Sequence, residues 1–278
     1  MQLQPEQIRE HVRRFLAEDI GRGDHTTSSV VPGSAHGKAR IETREGAVIA
    51  GLDVARACFE ELGQIEWEPL VGDGDRVEAG EVLVRIEGPL SVILTAERTA
   101  LNLLQRLSAV ATVSARFVDA IAGTSARIVD TRKTTPGLRL FEKYAVRCGG
   151  AANHRFGLDD GILIKDNHIT AAGGVTEAVE RARRGVPHGL KVEVEVTDLH
   201  ELDEALAAGA DAVLLDNMTP EMVRDAVKRA GGKVLLEASG GMSLATVRSY
   251  AEAGVDLISV GALTHSAPSI DLSLEVES

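Results

Sequence analysis

After Gly123 the chain falls into one repeated alternation, and this constrains its fold more than any other feature. Apolar runs stand at residues 126–129, 162–164, 192–196, 212–215, 234–236 and 257–260. Amphipathic segments separate them, at 138–146, 175–183, 199–207, 220–230 and 244–253. A continuous apolar run is what a strand needs when both of its faces are covered, and intervening helices supply the cover. Six such units predict an α/β barrel or an open parallel sheet.

In either architecture the residues that follow the strands gather at one mouth. Here they are Asp130-Thr131-Arg132-Lys133, Lys165-Asp166-Asn167-His168, Glu195, Asp216-Asn217, Ser239-Gly240-Gly241, and Gly261-Ala262 after Val260. The early strands contribute cations and the middle strands contribute carboxylates. The late strands contribute glycine-rich turns before helices, which offer backbone N–H groups to a phosphate. Such parts suit a ligand with several carboxylates or phosphates, together with a sugar or a cationic intermediate held by the acids. Glu195 and Asp216 are alternatively salt-bridged barrel residues, and Asp216 is alternatively a cap for the helix near Thr219. His154 and His168 are candidates for substrate contact or for orienting other groups.

Charge sharpens the reading. Between Asp130 and His168 lie seven cations (Arg132, Lys133, Arg139, Lys143, Arg147, Arg155, Lys165) and five carboxylates, whereas the remainder has 23 cations against 37 acids. A cationic island in a chain of net charge −12 points to a small anionic ligand, because the overall field repels nucleic acid. Aromatic residues make up only 3%, too few for base-stacking surfaces. No apolar run approaches membrane-spanning length, the first residues lack an apolar signal core, and the two cysteines lack metal-ligand spacing. A cytoplasmic location is expected.

The first 122 residues read as a smaller mixed α/β domain. Helical spacing of Ile8, Val12, Phe15 and Leu16 predicts a helix ending near Gly21, followed by an irregular loop, EDIGRGDHTTSSVVP. Strands are expected at 38–43, 47–50, 65–70 and 82–86, with a helix over 52–62. The segment VGDGDRVEAGE resembles the hairpin of biotinyl or lipoyl carrier domains. It has no lysine between Gly72 and Gly88 to modify, so its use is structural. A long helical tract over 91–121, free of proline and glycine, carries Arg98 and suits a connector of domains or subunits. The barrel domain is expected over 123–263, with residues 264–278 returning as a strand partner of the first domain.

The motifs ERTALN, DTRKTTPGLR, KYAVRCGGAANHRFGLDDGILIKDNHI, VEVEV, LLDN, EASGG and VGALTHS, with EDIGRGDHTT near the start, closely resemble the quinolinate phosphoribosyltransferase family. The resemblance spans essentially the whole chain; Thr135, where the family often has an apolar residue, is the mildest departure. It implies an N-terminal mixed α/β domain and a C-terminal open α/β barrel. It implies transfer of a phosphoribosyl group from 5-phosphoribosyl-1-pyrophosphate to quinolinate, giving nicotinate mononucleotide, pyrophosphate and CO2 in de novo NAD synthesis. It also implies Mg2+, and a homodimer with a shared active site that can assemble further into a hexamer. By the resemblance Arg132, His154, Arg155 and Lys165 bind the quinolinate carboxylates, with Arg98 supplied by the neighbouring subunit. Lys133 lies where the two substrates meet, beside Thr131. Glu195 and Asp216 hold the ribose hydroxyls or the metal, and Ser239, Gly240, Gly241, Val260, Gly261 and Ala262 cradle the 5-phosphate. The rivals are a Schiff-base aldolase using Lys133 or Lys165, a molybdenum-associated paralogue, and a non-catalytic anion-binding protein.

Overall fold

The computed structural model describes residues 2–277. In chain order the first elements are α1 (Pro5–Ile20), α2 (His25–Val30), β1 (His36–Thr43), β2 (Ala47–Val48) and α3 (Leu52–Glu60). They continue with β3 (Glu66–Pro69), β4 (Arg76–Val77), β5 (Val82–Pro89) and α4 (Leu90–Ala120). Proline sits in the first turn of α1, where its missing N–H costs nothing, and Ile8, Val12 and Leu16 form the buried stripe. The expected irregular loop contains α2 instead. Asp24 accepts the Thr27 N–H at 2.9 Å and so caps the six helical residues that follow.

From residue 127 the alternation appears as β6 (Arg127–Val129), α5 (Arg139–Cys148), β7 (Ile162–Ile164), α6 (Asp166–Ala172) and α7 (Val175–Gly185). Next come β8 (Val192–Val196), α8 (Leu199–Ala207), β9 (Ala212–Asp216), α9 (Pro220–Ala230) and β10 (Leu235–Ser239). The chain finishes with α10 (Val247–Ala253), β11 (Leu257–Ser259), α11 (Ala262–His265) and β12 (Leu272–Glu277). Six strands form one parallel sheet in the order β6-β11-β10-β9-β8-β7. Each helix returns the chain to the next strand along, which is barrel winding left open between β6 and β7. Among the described residues only an isolated parallel bridge, Val129 to Ala152, lies at that gap.

The chain separates into two compact units. One comprises residues 1–115, 136–150 and 267–278, and the other 116–135 and 151–266. The expected boundaries at 122 and 263 therefore need correction. The largest difference is α5, read from the sequence as a barrel helix but belonging to the first unit. Its partners explain this. Glu142, fully buried, accepts two bonds from Arg106 on α4 (2.8 and 3.1 Å), and the Tyr144 hydroxyl donates to Asp73 at 2.7 Å. Gly149 lies so close to α4 that an added Cβ would come within 2.6 Å of Ser114 Cβ. Three of the seven cations of the island, Arg139, Lys143 and Arg147, leave the barrel unit with this helix.

The first unit has a four-stranded antiparallel sheet in the order β12-β1-β5-β3, beside the short pair β2-β4. β12 pairs with β1 from Lys38↔Glu277 to Thr43↔Leu272. The carrier-like hairpin contributes β4 and β5 to two different sheets.

Candidate active site

Strand register fixes which side chains share a face of the parallel sheet. Leu163 stands opposite Glu193, Glu195 opposite Leu214, Leu214 opposite Glu237, and Asp216 opposite Ser239. Partners in register project to the same side, as do alternate residues along a strand. Lys165, in extended backbone two residues beyond Leu163, joins the same set. One face thus carries Lys165, Glu193, Glu195, Asp216, Glu237 and Ser239, while Val192, Val194 and Val196 are buried on the other. The alternation VEVEV is the sequence origin of this division. The polar face is the barrel interior, because Glu193 on β8 and Glu237 on β10 both reach the same histidine across β9.

Four groupings form there. Lys165 Nζ donates to Glu195 Oε2 in a close ion pair. The Lys165 backbone N–H donates to His168 Nδ1 at 2.9 Å, so His168 completes the cap of α6. Its ring serves the helix, in line with an orienting role.

Asp216 ends β9 and accepts from the Asn217 amide at 2.7 Å. It does not cap α9: Thr219 does, accepting the Met222 N–H at 3.3 Å. Asn217 has φ 54°, the left-handed region, and its N–H donates to Ser239 O at 2.9 Å. Gly240, at φ 102°, passes so near Asn217 that no Cβ fits. We predict that Gly240→Ala lowers stability by at least about 1 kcal/mol through backbone strain, read by denaturant titration. An unchanged midpoint would mean that this turn relaxes freely.

Lys133 is seated between two loops. Its N–H donates to Thr131 Oγ1 (3.0 Å), and its carbonyl accepts from Thr264 Oγ1 (2.8 Å). A Cβ on Gly261 would fall 2.9 Å from Lys133 Cδ and 3.2 Å from His265, so glycine leaves room for the lysine stem. Val260 is buried, its N–H bonded to Val129 O (3.0 Å), which leaves it nothing polar for a ligand but its carbonyl. The expected helix starts after the glycine turns also shift. α10 begins only at Val247, and α11 is a single turn, so any anion held at Ser239–Gly241 meets loop N–H groups rather than a helix terminus.

The fourth grouping surrounds the segment that follows the bridge at Ala152. Asp130, fully buried, accepts from the His154 N–H (2.8 Å) and the Asn153 amide (2.7 Å). This fixes Arg155, whose Nη1 donates to Gly161 O at 2.8 Å. Burial depresses the Arg155 guanidinium, and the charge of Arg132 depresses it further, against an opposing contribution from Glu193. The charge of Arg132 thus reaches Arg155, and an anionic ligand with two carboxylates suits such a pair of cations.

His154 Nε2 lies 3.1 Å from Glu193 Oε2 and 3.4 Å from Glu237 Oε2. Burial alone would depress this imidazole, but the two carboxylates push it up to about 10. Burial also raises the Glu237 carboxyl. Yet His154 Nδ1 accepts the Arg155 N–H at 2.7 Å, which an imidazolium cannot do. With the same number of protons in the cluster, the bond is kept if the ring holds its proton on Nε2 and Glu237 is the neutral acid. Glu193 and Glu237 were not among the expected site residues. A carboxylate inside an apolar strand was their only signal, and the expected strand 234–236 stopped one residue short of Glu237.

Glu195 and Asp216 offer hard oxygen donors from one face of adjacent strands. Two carboxylates fit Mg2+, which takes the rest of its shell from water and phosphate oxygens. Arg98 lies in the first unit, on α4, exposed and 3.8 Å from Glu97. No helix among the described residues is long and apolar enough to cross a membrane.

Comparison with known proteins bears on the whole arrangement. The family model for the quinolinate phosphoribosyl transferase N-terminal domain matches residues 24–108, and that for the C-terminal domain matches 110–275. The nicotinate-nucleotide pyrophosphorylase (carboxylating) of Mycobacterium leprae is 44% identical, covering 96% of this chain and 96% of the relative. A solved nicotinate-nucleotide pyrophosphorylase from Francisella tularensis superposes with TM-score 0.95 at 44% identity, over 99% of this chain and 98% of that one. NadC from Streptococcus pyogenes gives TM-score 0.94 at 40% identity, over the full length of both chains. With both domain models matched in order and relatives alike from end to end, the chain belongs to the quinolinate phosphoribosyltransferase family.

Proposed function

We infer that this chain transfers a phosphoribosyl group from 5-phosphoribosyl-1-pyrophosphate to quinolinate, with loss of CO2, giving nicotinate mononucleotide and pyrophosphate for NAD synthesis. The observation that carries the residue-level reading is the cationic character around Arg155, whose guanidinium feels the charge of Arg132, in a unit whose sheet face also presents the Lys165–Glu195 pair. The natural counterpart of these two cations is a dianion. Quinolinate supplies two adjacent carboxylates on a rigid ring, and paired cations on both would orient the ring nitrogen toward C1 of the ribose. Departure of pyrophosphate leaves positive charge on the ribose, which Glu195 and Asp216 are suited to oppose. Once ribosylated, the ring nitrogen is cationic and stabilises the electron pair left on C2 as the 2-carboxylate departs as CO2, and a proton from solvent then takes the vacated position. Lys133, beside Gly261, is suited to the junction of the two substrates, and the Ser239–Gly241 turn to the 5-phosphate. Mg2+, when bound by Glu195 and Asp216 together with pyrophosphate oxygens, would neutralise the leaving group. A Schiff-base role fits Lys165 poorly, since it is ion-paired and half exposed rather than desolvated. The test is product release: one pyrophosphate and one CO2 for each quinolinate consumed. Pyrophosphate without CO2 would defeat the assignment.

The active site is shared within a homodimer, on this reading, with Arg98 completing the partner's site; hexamers would be assemblies of such dimers. The exposed setting of Arg98 on α4 and the family resemblance support it. Mixing Arg98→Ala with Lys165→Ala protein and allowing exchange should restore activity, because a mixed dimer then has one intact site. Continued inactivity after exchange is verified by mass labelling would overturn sharing. Two free thiols, Cys58 buried and Cys148 partly so, fit a cytoplasmic location.

A further inference from the structure

The carrier-like segment VGDGDRVEAGE has no task in the proposed chemistry, yet its tip is tied down on several sides within the first unit. The Gly72 N–H donates to Asp75 Oδ2 at 2.7 Å, the Gly74 N–H to Ile49 O at 2.8 Å, and the Ile49 N–H to Asp75 O at 3.0 Å. This fixed loop presents Asp73 to two helices. One carboxylate oxygen accepts from the Gly51 N–H (3.0 Å) and the Leu52 N–H (3.1 Å), donors at the start of α3 that its own N-cap side chain leaves uncapped. The other accepts the Tyr144 hydroxyl of α5 at 2.7 Å. Burial and the charge of Asp73 push the Tyr144 phenol up, so it stays a donor. Beside it the loop backbone meets the end of α5: a Cβ on Gly74 would stand 3.4 Å from Cys148 O.

The place of α5 in the chain gives this grip its consequence. Residues 116–135 and 151–266 belong to the second unit, and 136–150 between them belong to the first. Arg132 and Lys133 precede this detour, and Arg155 follows it. Only Gly149, Gly150 and Ala151 separate the end of α5 from the bridge at Ala152. Gly149 has no room to swing, pressed as it is against Ala111 O and Ser114 of α4. Holding α5 therefore holds an end of each cationic segment. We propose that Asp73 and Tyr144 are positioning residues for quinolinate binding, the hairpin loop gripping α5 and α5 setting the segments of Arg132 and Arg155 on either side of it. Although Asp73 shares a unit with Arg98, it then serves the site of its own chain. The inference rests on the reading of Arg132 and Arg155 as quinolinate ligands.

Two experiments on the full chain test it. In steady-state kinetics Tyr144→Phe, which removes a single oxygen, should raise the KM for quinolinate about tenfold, while kcat and the KM for 5-phosphoribosyl-1-pyrophosphate stay within about threefold. Asp73→Leu should do the same or more. Asp73→Asn keeps an oxygen for α3 and offers an amide N–H to the Tyr144 oxygen, so it should stay within about threefold of the wild type throughout. Losses shared evenly by both substrates, or no loss in Tyr144→Phe, would reduce the grip to a role in folding and overturn the proposal. The second experiment is subunit mixing, read at low quinolinate, with Tyr144→Phe in place of Asp73→Leu where the latter fails to fold. Asp73→Leu should recover activity on exchange with Arg98→Ala and gain none with Lys165→Ala, because its lesion falls in the same site as Lys165. Recovery with Lys165→Ala instead, or with neither, would overturn the proposal. If Arg98→Ala and Lys165→Ala do not complement each other, sharing of the site fails and the kinetic split alone decides. An Arg155→Ala control separates the premises: if it binds quinolinate normally, the ligand reading of Arg155 fails, whatever Tyr144→Phe gives.

Discussion

Nicotinate should be turned over at least about a thousandfold less efficiently than quinolinate, measured as the ratio of kcat/KM with 5-phosphoribosyl-1-pyrophosphate in excess. The two acids differ by one carboxylate. Against a neutral pocket that difference would be modest, but here the missing group forgoes a charge-assisted contact with a cation of the site. Arg155 is partly buried and its charge is further disfavoured by Arg132, against an opposing contribution from Glu193. A site with two cations gains more from a ligand that pairs with both than from one that pairs with a single cation. Nicotinate also has no carboxylate beside the ring nitrogen to leave, so any product it gave would come without CO2. Comparable efficiencies for the two acids would remove the basis for reading Arg132 and Arg155 as a dicarboxylate clamp.

Glu195→Gln should lower kcat by about a hundredfold or more while quinolinate binds no more than about threefold more weakly. The carboxylate opposes charge that exists mainly as the pyrophosphate departs, so its removal is felt in the transition state. In the resting protein Glu195 is tied to Lys165, and the amide keeps both its shape and an oxygen for that bond. Asp216→Asn should act in the same direction, since Asp216 shares the face and the adjacent strand. Single-turnover kinetics and equilibrium binding, measured separately, decide the matter. Parallel losses in both would make these acids part of substrate binding or of the scaffold.

The repeated strands were legible because each is an apolar run of the right length: 162–164 and 192–196 coincide with the observed strands. The helices expected over 199–207 and 220–230 were equally plain, and the structure shows side-chain caps at Asp198 and Thr219 where they begin. The allotment of α5 was not legible. Its amphipathic stripe says only that one side is covered, and the cover comes from α4 through Arg106 and the Gly149 approach, none of which is local in sequence. The strand-end residues of the site could be named from their positions, and register puts Lys165, Glu195, Asp216 and Ser239 on one face. The cluster of His154, Glu193 and Glu237 could not, because it depends on the curvature that lets β8 and β10 reach one side chain. Gly240 stood out as a glycine, but its reason is the neighbouring strand end at Asn217.

The pairing of β1 with β12 also governs the order of events during synthesis. Lys38 finds its partner only when Glu277 has been made, so one flank of β1 waits through translation of the whole barrel unit. An unpaired strand flank is a template for association with other chains. At elongation rates of about 5–20 residues per second this exposure lasts roughly 10 to 50 seconds. The nascent chain therefore has a vulnerable interval that closes once β12 has been made, and losing that strand would make the exposure permanent.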